Sequence, residues 1–503
     1  MTAVLFAAAE AAPFIKTGGL GDVVGSLPKE LNKQGMEVRT ILPLYSDIAE
    51  EWRRQMRFLG QNMVKLGWRE QYAGLFMLEM DGQKYYFIDN EYYFKRQGIY
   101  GFSDDDERFA FFCRAVLEAF EYLEFFPDII HCHDWHTGVL PVLLAAHYRH
   151  KAGYERLRTV LTIHNICYQG IFPKAVLSDI LELDETEYFS SDKLGFYGAV
   201  NYLQAGLAFA DVLTTVSPTY LAEIVTPEGG CRLDGALNLR RGNTYSILNG
   251  IDYEVYNPSA DKAIYVEYSQ NSIERKMSNK MELQQYLGMT VDPDIPLVGV
   301  VSRLVADKGM DLIIEGLDEL IGLGVAVVIL GTGEKRYEDF LLGAAKQYEG
   351  KLSVNIFFDN VLAHRIYAGA DLYLMPSLSE PCGLSQMIAL RYGCVPVVRA
   401  TGGLADTIMP YGEYTGEGNG FSFTEYTKEA MVKAVNRALA LRSDSNAWRK
   451  LVMTAMQADN SWRRSAAEYS SVYDRLLLAG VGYVNGEGGF QTGVYRAAED
   501  SSW

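Results

Sequence analysis

Cysteine is sparse in this chain and nowhere arranged in pairs. The six residues Cys113, Cys132, Cys167, Cys231, Cys382 and Cys394 are scattered without C-x-x-C spacing, which excludes a dithiol motif or disulfide framework and predicts reduced thiols. Long apolar runs are missing too: none reaches the roughly 18 residues of a membrane-spanning helix. The segment from Met1 to Glu10 has no basic stretch leading into an apolar one, so neither export nor membrane insertion is expected, and the cytoplasm is the expected location. Positive charge is the third shortage. With 46 Lys and Arg against 64 Asp and Glu, the formal net charge is −18, which opposes nucleic acid and anionic membrane surfaces as partners. The same charge repels a nucleotide, so any phosphate site must be a local concentration of basic residues.

What the chain does have is length and alternation. At 503 residues it exceeds one compact core and suggests about two to four units. Short apolar runs bounded by turns alternate with helical periodicity, the mark of parallel α/β sheets. The first half offers Val4–Ala9, Val38–Leu42, Tyr85–Ile88, Ile129–Cys132, Thr159–Ile163 and Val212–Val216 as strands, with helices over Val23–Leu31, Ala110–Tyr122 and Gly138–Tyr148. The second offers Leu297–Val301, Ala326–Leu330, Ser353–Phe358, Leu372–Pro376 and Val395–Val398, with helices near Gly309–Leu320, Tyr337–Tyr348 and Ser385–Tyr392. Two doubly wound domains are expected, 1–247 and 248–460, divided near Ile247–Asp252, after the basic, glycine-containing Arg240-Arg241-Gly242-Asn243. The tetrapeptide Thr-Gly-Gly-Leu occurs at Thr17–Leu20 and again at Thr401–Leu404, each time after a strand-like run. Residues 479–503, glycine-rich and without periodicity, read as a loosely held tail.

Three loops carry the candidate phosphate chemistry. Lys16-Thr17-Gly18-Gly19-Leu20-Gly21-Asp22-Val23 links a strand to a helix; it is either a tight turn or a place where a ligand meets backbone, free helix amides and one lysine. Ser302-Arg303 to Lys308-Gly309 follows a strand and precedes a helix; its cations are either solvated or grip phosphate, Arg303 bidentately and Lys308 as a point charge. Ser379-Glu380-Pro381-Cys382-Gly383-Leu384-Ser385-Gln386 follows the Leu372–Pro376 run, with Glu380 placed either to cap a helix or to meet a sugar. Cys382 has no nearby base and reads as a packed thiol.

The segment Pro127 to His136 gathers His131, His133, Asp134 and His136. A zinc-dependent hydrolase clusters histidines and an acid this way, but here Asp134 directly follows the second histidine, one position short of the usual spacing. The competing reading makes Asp134, Trp135 and His136 sugar contacts and packs His131. His164, in Thr162-Ile163-His164-Asn165, lies at a strand's carboxyl end, where α/β sheets bind ligands. The aromatic stretch within Tyr85 to Phe112 serves either packing or glucan stacking.

Taken together, these residues resemble the bacterial glycogen synthase and starch synthase family, retaining glucosyltransferases of the GT-B fold. The likeness runs to about Leu478 through Lys16–Val23, His131–His136, His164-Asn165, Val216-Ser217-Pro218-Thr219-Tyr220, Leu248–Asp252, Ser302-Arg303, Lys308-Gly309, Glu380–Leu384 and Thr401–Leu404. It implies two Rossmann-like domains facing across a cleft and transfer of glucose from ADP-glucose to the non-reducing end of an α-1,4-glucan, with no metal or cofactor. By carry-over, Lys16, Arg303 and Lys308 neutralise the diphosphate with amides around Gly18, Gly19, Gly383 and Leu384. Glu380 meets the transferred glucose, His164 its anomeric side, and Asp134 the sugar or acceptor. Asn249 and Tyr367 line the nucleotide pocket, with Asp22, Cys382 and Ser385 among the donor-side residues. A crossover helix is expected at 461–478. Asp307 departs from the family's usual Gln. A non-catalytic nucleotide-sugar or glucan-binding protein is the remaining alternative.

Overall fold

The computed structural model describes residues 1–123 and 125–481. Alternating apolar runs produce two sheets. The first has nine strands in the order Thr244–Ser246, Val212–Thr215, Arg158–Ile163, Ile129–His133, Ala3–Ala7, Glu37–Pro43, Gln83–Asp89, Arg69–Met80 and Arg57–Leu66. Pairing is parallel as far as Gln83–Asp89, and the last two strands run antiparallel. The second sheet is wholly parallel, in the order Leu352–Asn355, Ala326–Leu330, Leu297–Val301, Leu372–Met375, Val395–Arg399 and Phe421–Phe423. Parallel strands bury both faces, which is why Ala326–Leu330 and Ile129–His133 are buried at every position.

Each sheet reverses its winding once. In the first the reversal lies between Ala3–Ala7 and Ile129–His133, in the second between Leu297–Val301 and Leu372–Met375. Crevices open at the carboxyl ends of strands at such a switch point. The loops leaving these four strands carry Glu10 to Gly19, Asp134 to His136, Ser302 to Lys308 and Ser377 to Glu380. Topology thus collects the motifs that the sequence scatters.

Two stretches join the sheets and lie side by side: the Ile251 amide donates to the Asn460 carbonyl at 2.8 Å, and Ser465 Oγ donates to the Leu248 carbonyl at 2.5 Å. Beyond them the helix Trp462–Val481 packs back on Gly19–Lys33, starting one residue later and ending three residues later than the expected 461–478. Residues 482–503 of the expected tail lie outside the described residues.

One expectation is overturned. Cys167 and Cys231, 64 residues apart in sequence, form a disulfide with their Cα atoms 5.6 Å apart. The pairing is non-local: the loop after Arg158–Ile163 meets the turn after Pro218–Ile224, which no cysteine spacing reveals. Smaller departures are the antiparallel strands Arg57–Leu66 and Arg69–Met80, the three-stranded sheet of Ile171–Pro173, Gly195–Phe196 and Ala199–Asn201, and a break at Gly316 in the helix expected over Gly309–Leu320.

Candidate active site

In the first wall, helix Gly19–Lys33 begins without a side-chain cap on Gly18, and Cβ atoms built on Gly18 or Gly19 would meet nothing within 4 Å. Open space therefore lies over the glycines. Lys16 Nζ donates to Asp22 Oδ1 at 2.7 Å, and burial pushes the Asp22 carboxyl up while Lys16 pulls it down. Behind the loop sits a residue the sequence reading missed. Buried Glu10 accepts from the Thr17 amide at 2.5 Å, Thr17 Oγ1 at 2.7 Å, the Gly18 amide at 3.3 Å and the Tyr100 hydroxyl at 2.6 Å. It holds the loop's backbone in place. The signal available beforehand was a carboxylate ending an otherwise apolar strand run.

Along the same wall, Asp134 has φ +55°, outside the region most residues adopt. The turn aims its carboxylate at the His164 amide (2.7 Å) and the Asn165 amide (3.4 Å), so Asp134 fixes the backbone that carries His164. The His164 ring lies 3.0 Å from His133, Nε2 to Nδ1. His131 is fully buried between the Tyr473 hydroxyl (2.7 Å) and Thr162 Oγ1 (2.6 Å), and His136 stacks on Tyr100 with centroids 4.6 Å apart. These rings serve different partners. Among the described residues no group of three His, Cys, Asp or Glu is arranged to hold a metal ion, which removes the geometric basis of the hydrolase alternative.

The second wall starts from Gly309, whose φ of +74° and absent Cβ are both required: an added Cβ would lie 2.1 Å from the Pro376 carbonyl. That contact packs the Lys308 loop against the Glu380 loop. Lys308 Nζ donates to Glu380 Oε2 at 2.5 Å, and Ser377 Oγ donates to the same oxygen at 3.1 Å. Glu380 is only 6% exposed, so a charge-assisted pair stands at a strand end in low dielectric. Arg303 is exposed, and among the described residues its guanidinium has no partner. Asp307 is likewise exposed and its carboxylate contacts nothing described, so it faces solvent. Gly383 and Leu384 lead into helix Ser385–Arg391, which has no side-chain cap at its start. Cys382 is buried and its thiol is pushed up to about 12, the state of an inert packed sulfur.

The walls face each other. Burial pushes Tyr367, Tyr256 and Tyr220 up, and charges from across the cleft add smaller pushes: Asp22 of the first wall on Tyr367 and Tyr256 of the second, and Asp134 and Glu380 together on Tyr220. Asn249, buried with an unpartnered Oδ1, lies where its backbone reaches the Cys382 thiol. Tyr367 is buried, packed 5.4 Å from the Tyr373 ring, and its carbonyl accepts from Lys276 Nζ at 3.0 Å.

Burial gives the site a pH signature. Desolvation pushes His136 and His164 down to about 3 and holds His131 and His133 well below the usual imidazole range, whereas burial pushes Asp134 up to about 7. Below about pH 6.5 unfolded imidazoles take up protons that the folded ones refuse, so the histidine contribution is present above that pH and lost as pH falls, at about 1.4 kcal/mol per pH unit per proton. Asp134 runs oppositely: between about pH 4 and 7 the folded carboxyl keeps a proton that the unfolded one has lost, so its contribution fades as pH rises through about 7. Four histidines outweigh one aspartate. The melting temperature is expected to fall from about pH 7 to 5, and Asp134→Asn, which still accepts from the His164 amide, to raise it more at about pH 8 than at 5. Scanning calorimetry across pH checks both.

Two doubly wound domains whose switch points face each other, with cations on the loops of both, define a glycosyltransferase of the GT-B class. Residues 3–239 match the family model for the starch synthase catalytic domain, and 290–451 match that for glycosyl transferases group 1. The chain is 53% identical to a glycogen synthase of Desulforamulus reducens, covering 95% of this chain and 99% of the relative, and 52% identical to that of Geobacillus stearothermophilus, covering 94% and 98%. The solved catalytic domain of starch synthase IV from Arabidopsis thaliana, bound to ADP and acarbose, superposes with a TM-score of 0.90 at 34% identity over 95% of this chain and 99% of that one. A sucrose-phosphate synthase of Thermosynechococcus elongatus, 16% identical and covering 95% of this chain and 100% of its own, shares the fold with a TM-score of 0.61. The chain belongs to the glycogen synthase and starch synthase family. It is a glucosyltransferase of glycogen and starch synthesis, using a nucleotide-sugar donor and a glucan acceptor.

Proposed function

We propose that the donor is ADP-glucose and the acceptor the 4-hydroxyl at the non-reducing end of an α-1,4-glucan, in the cytoplasm, with retention at the anomeric carbon. The observation that carries this reading is charge placement. In a chain of net charge −18, Lys16, Arg303 and Lys308 occupy loops at the two switch points, where a diphosphate bridging the cleft meets three cations. The Arabidopsis enzyme, alike over nearly the whole chain, was solved with ADP. Domains 1–247 and 248–460 supply the acceptor and nucleotide sides, with the helix near 461–478 crossing back.

Breaking the anomeric C–O bond places the bonding electrons on the departing ADP and leaves an oxocarbenium-like glucose. Lys16, Arg303 and Lys308, with amides around Gly18, Gly19, Gly383 and Leu384, stabilise the growing negative charge. Glu380 meets the glucose. His164, neutral at physiological pH because burial holds it near 3, donates or accepts a hydrogen bond beside the anomeric carbon and adds no charge there. Asp134 sets the His164 backbone. Asn249, Tyr367, Asp22, Cys382 and Ser385 shape the nucleotide side. The acceptor hydroxyl attacks from the face the diphosphate leaves and gives its proton to a phosphate oxygen. Trapping a glycosyl-enzyme adduct would reject that last step.

The deciding assay incubates the enzyme with ADP-glucose or UDP-glucose and a maltooligosaccharide primer, measuring nucleotide release and chain extension. A kcat/KM at least about tenfold higher for ADP-glucose is the expected result, corresponding to about 1.4 kcal/mol of discrimination. Equal or reversed preference would overturn the donor assignment.

A further inference from the structure

Helix Pro218–Ile224 belongs to the first half of the chain and helix Gly402–Thr407 to the second, and each is anchored by a carboxylate of the other. Asp406 Oδ2 accepts from Ser217 Oγ at 2.7 Å and from the Thr219 amide at 3.0 Å, while Oδ1 accepts from Thr219 Oγ1 at 2.6 Å. In the other direction Glu223 Oε1 accepts from Thr401 Oγ1 at 3.0 Å and from the Gly402 amide at 2.9 Å. Ser217 is fully buried and also accepts from the Tyr220 amide at 2.9 Å, so the contact is built into the helix start.

Both ends of this contact lead to the site. The Tyr220 hydroxyl accepts from the Ile166 amide at 2.9 Å, tying the first helix to the loop that carries His164. The Gly403 amide donates to the Glu380 carbonyl at 3.1 Å. Gly402, with φ +43°, presses against that same oxygen, which a Cβ there would approach to 2.0 Å. Only glycine permits the approach. The second Thr-Gly-Gly-Leu therefore supports the Glu380 turn from behind, and Glu223 grips its first two residues.

The geometry points to Asp406 and Glu223 as positioning residues for glucosyl transfer. They form a reciprocal clasp across the cleft that keeps the Glu380 turn in register with the His164 loop, and turnover requires it. The inference rests on the roles given above to Glu380 and His164 and adds two residues that lie behind the site's loops and outside the set assigned to the donor. A shift of about 1 Å in the relative position of two reacting walls is enough to lower rate about a hundredfold.

The test uses the full chain with Asp406→Ala, Asp406→Asn and Glu223→Ala, each shown by its melting curve to be folded. Asp406→Ala and Glu223→Ala are expected to lower kcat about tenfold to a hundredfold, with the Kd for ADP by calorimetry within about threefold of wild type because no donor-loop bond is removed. Small-angle scattering at saturating ADP should give a larger radius of gyration than wild type. Asp406→Asn, which keeps one acceptor oxygen, should recover part of the activity. Unchanged kcat in Asp406→Ala and Glu223→Ala overturns the clasp, whatever the scattering shows. If these variants lose turnover while Glu380→Gln stays active, the clasp stands and the role of Glu380 falls.

Discussion

Replacing Glu380 by glutamine is expected to lower kcat about a thousandfold while leaving the affinity for ADP within about threefold. The side chain is nearly enclosed, and one oxygen takes hydrogen bonds from both Lys308 and Ser377. Glutamine preserves shape and an acceptor for Ser377 but removes the negative charge. Lys308, no longer neutralised, remains available to a diphosphate, which is why nucleotide binding survives. A carboxylate in a dry pocket facing developing positive charge on the sugar contributes far more than one in water, and that difference is what the substitution removes. Initial-rate kinetics with ADP-glucose and primer, set beside a calorimetric ADP titration, separate the two effects. Glucan synthesis within tenfold of wild type would reject the role assigned to Glu380. A parallel loss of ADP affinity would show instead that the substitution disturbs the Lys308 loop.

The legible part of this protein was its parallel strands, and the reason is physical. A strand covered on both faces must be apolar throughout, so Ala326–Leu330 and Ile129–His133 stand out as short runs regardless of what surrounds them. The loops that follow them were legible because glycine and isolated cations punctuate strand ends. Strands with a solvent face were not. Arg57–Leu66 is exposed or half-buried except at Val64 and Leu66, so its composition resembles a polar connection. The helix expected over Gly138–Tyr148 is broken into Leu140–Leu143 and a widened turn, Leu144–Tyr148, a local change of winding that apolar spacing does not encode.

The site was legible as separate loops and illegible as an arrangement. Glu10 precedes Lys16 by only a few residues, yet its use depends on the chain folding back so that the Thr17 and Gly18 amides face its carboxylate. Asp134 was placed at the sugar by resemblance; its visible partner is the backbone of a neighbouring strand's loop, and only strand order reveals that adjacency. The Cys167–Cys231 disulfide and the Asp406 and Glu223 contacts are non-local in the same way. The repeated Thr-Gly-Gly-Leu shows the limit most clearly: in the first copy the glycines leave open space, while in the second they are filled by the Glu380 turn. Identical residues carry different duties because their surroundings differ.

Lys16→Ala is the second substitution with a large expected effect, and its partner makes the prediction specific. Lys16 is the only cation among the described residues that pairs with Asp22, which burial already disfavours as a charge. Removing the lysine deletes one attraction for the diphosphate and strips the neutralising partner from a carboxylate beside the same glycine loop. An unpaired negative charge then faces an anion. The loss in kcat/KM for ADP-glucose is therefore expected to reach about a thousandfold, beyond the roughly tenfold to hundredfold of a single deleted cation at a phosphate. Asp22→Asn placed on Lys16→Ala removes the exposed charge and should restore activity about tenfold, so the double variant is less impaired than the product of the two single effects. Steady-state kinetics of the four-member cycle measure this coupling. Raised salt should narrow the gap between Lys16→Ala and the double variant, since screening weakens a repulsion between partly exposed charges. Additive losses in the cycle would mean that Asp22 acts on the donor independently of Lys16, and the glycine loop would then hold the diphosphate through its amides alone.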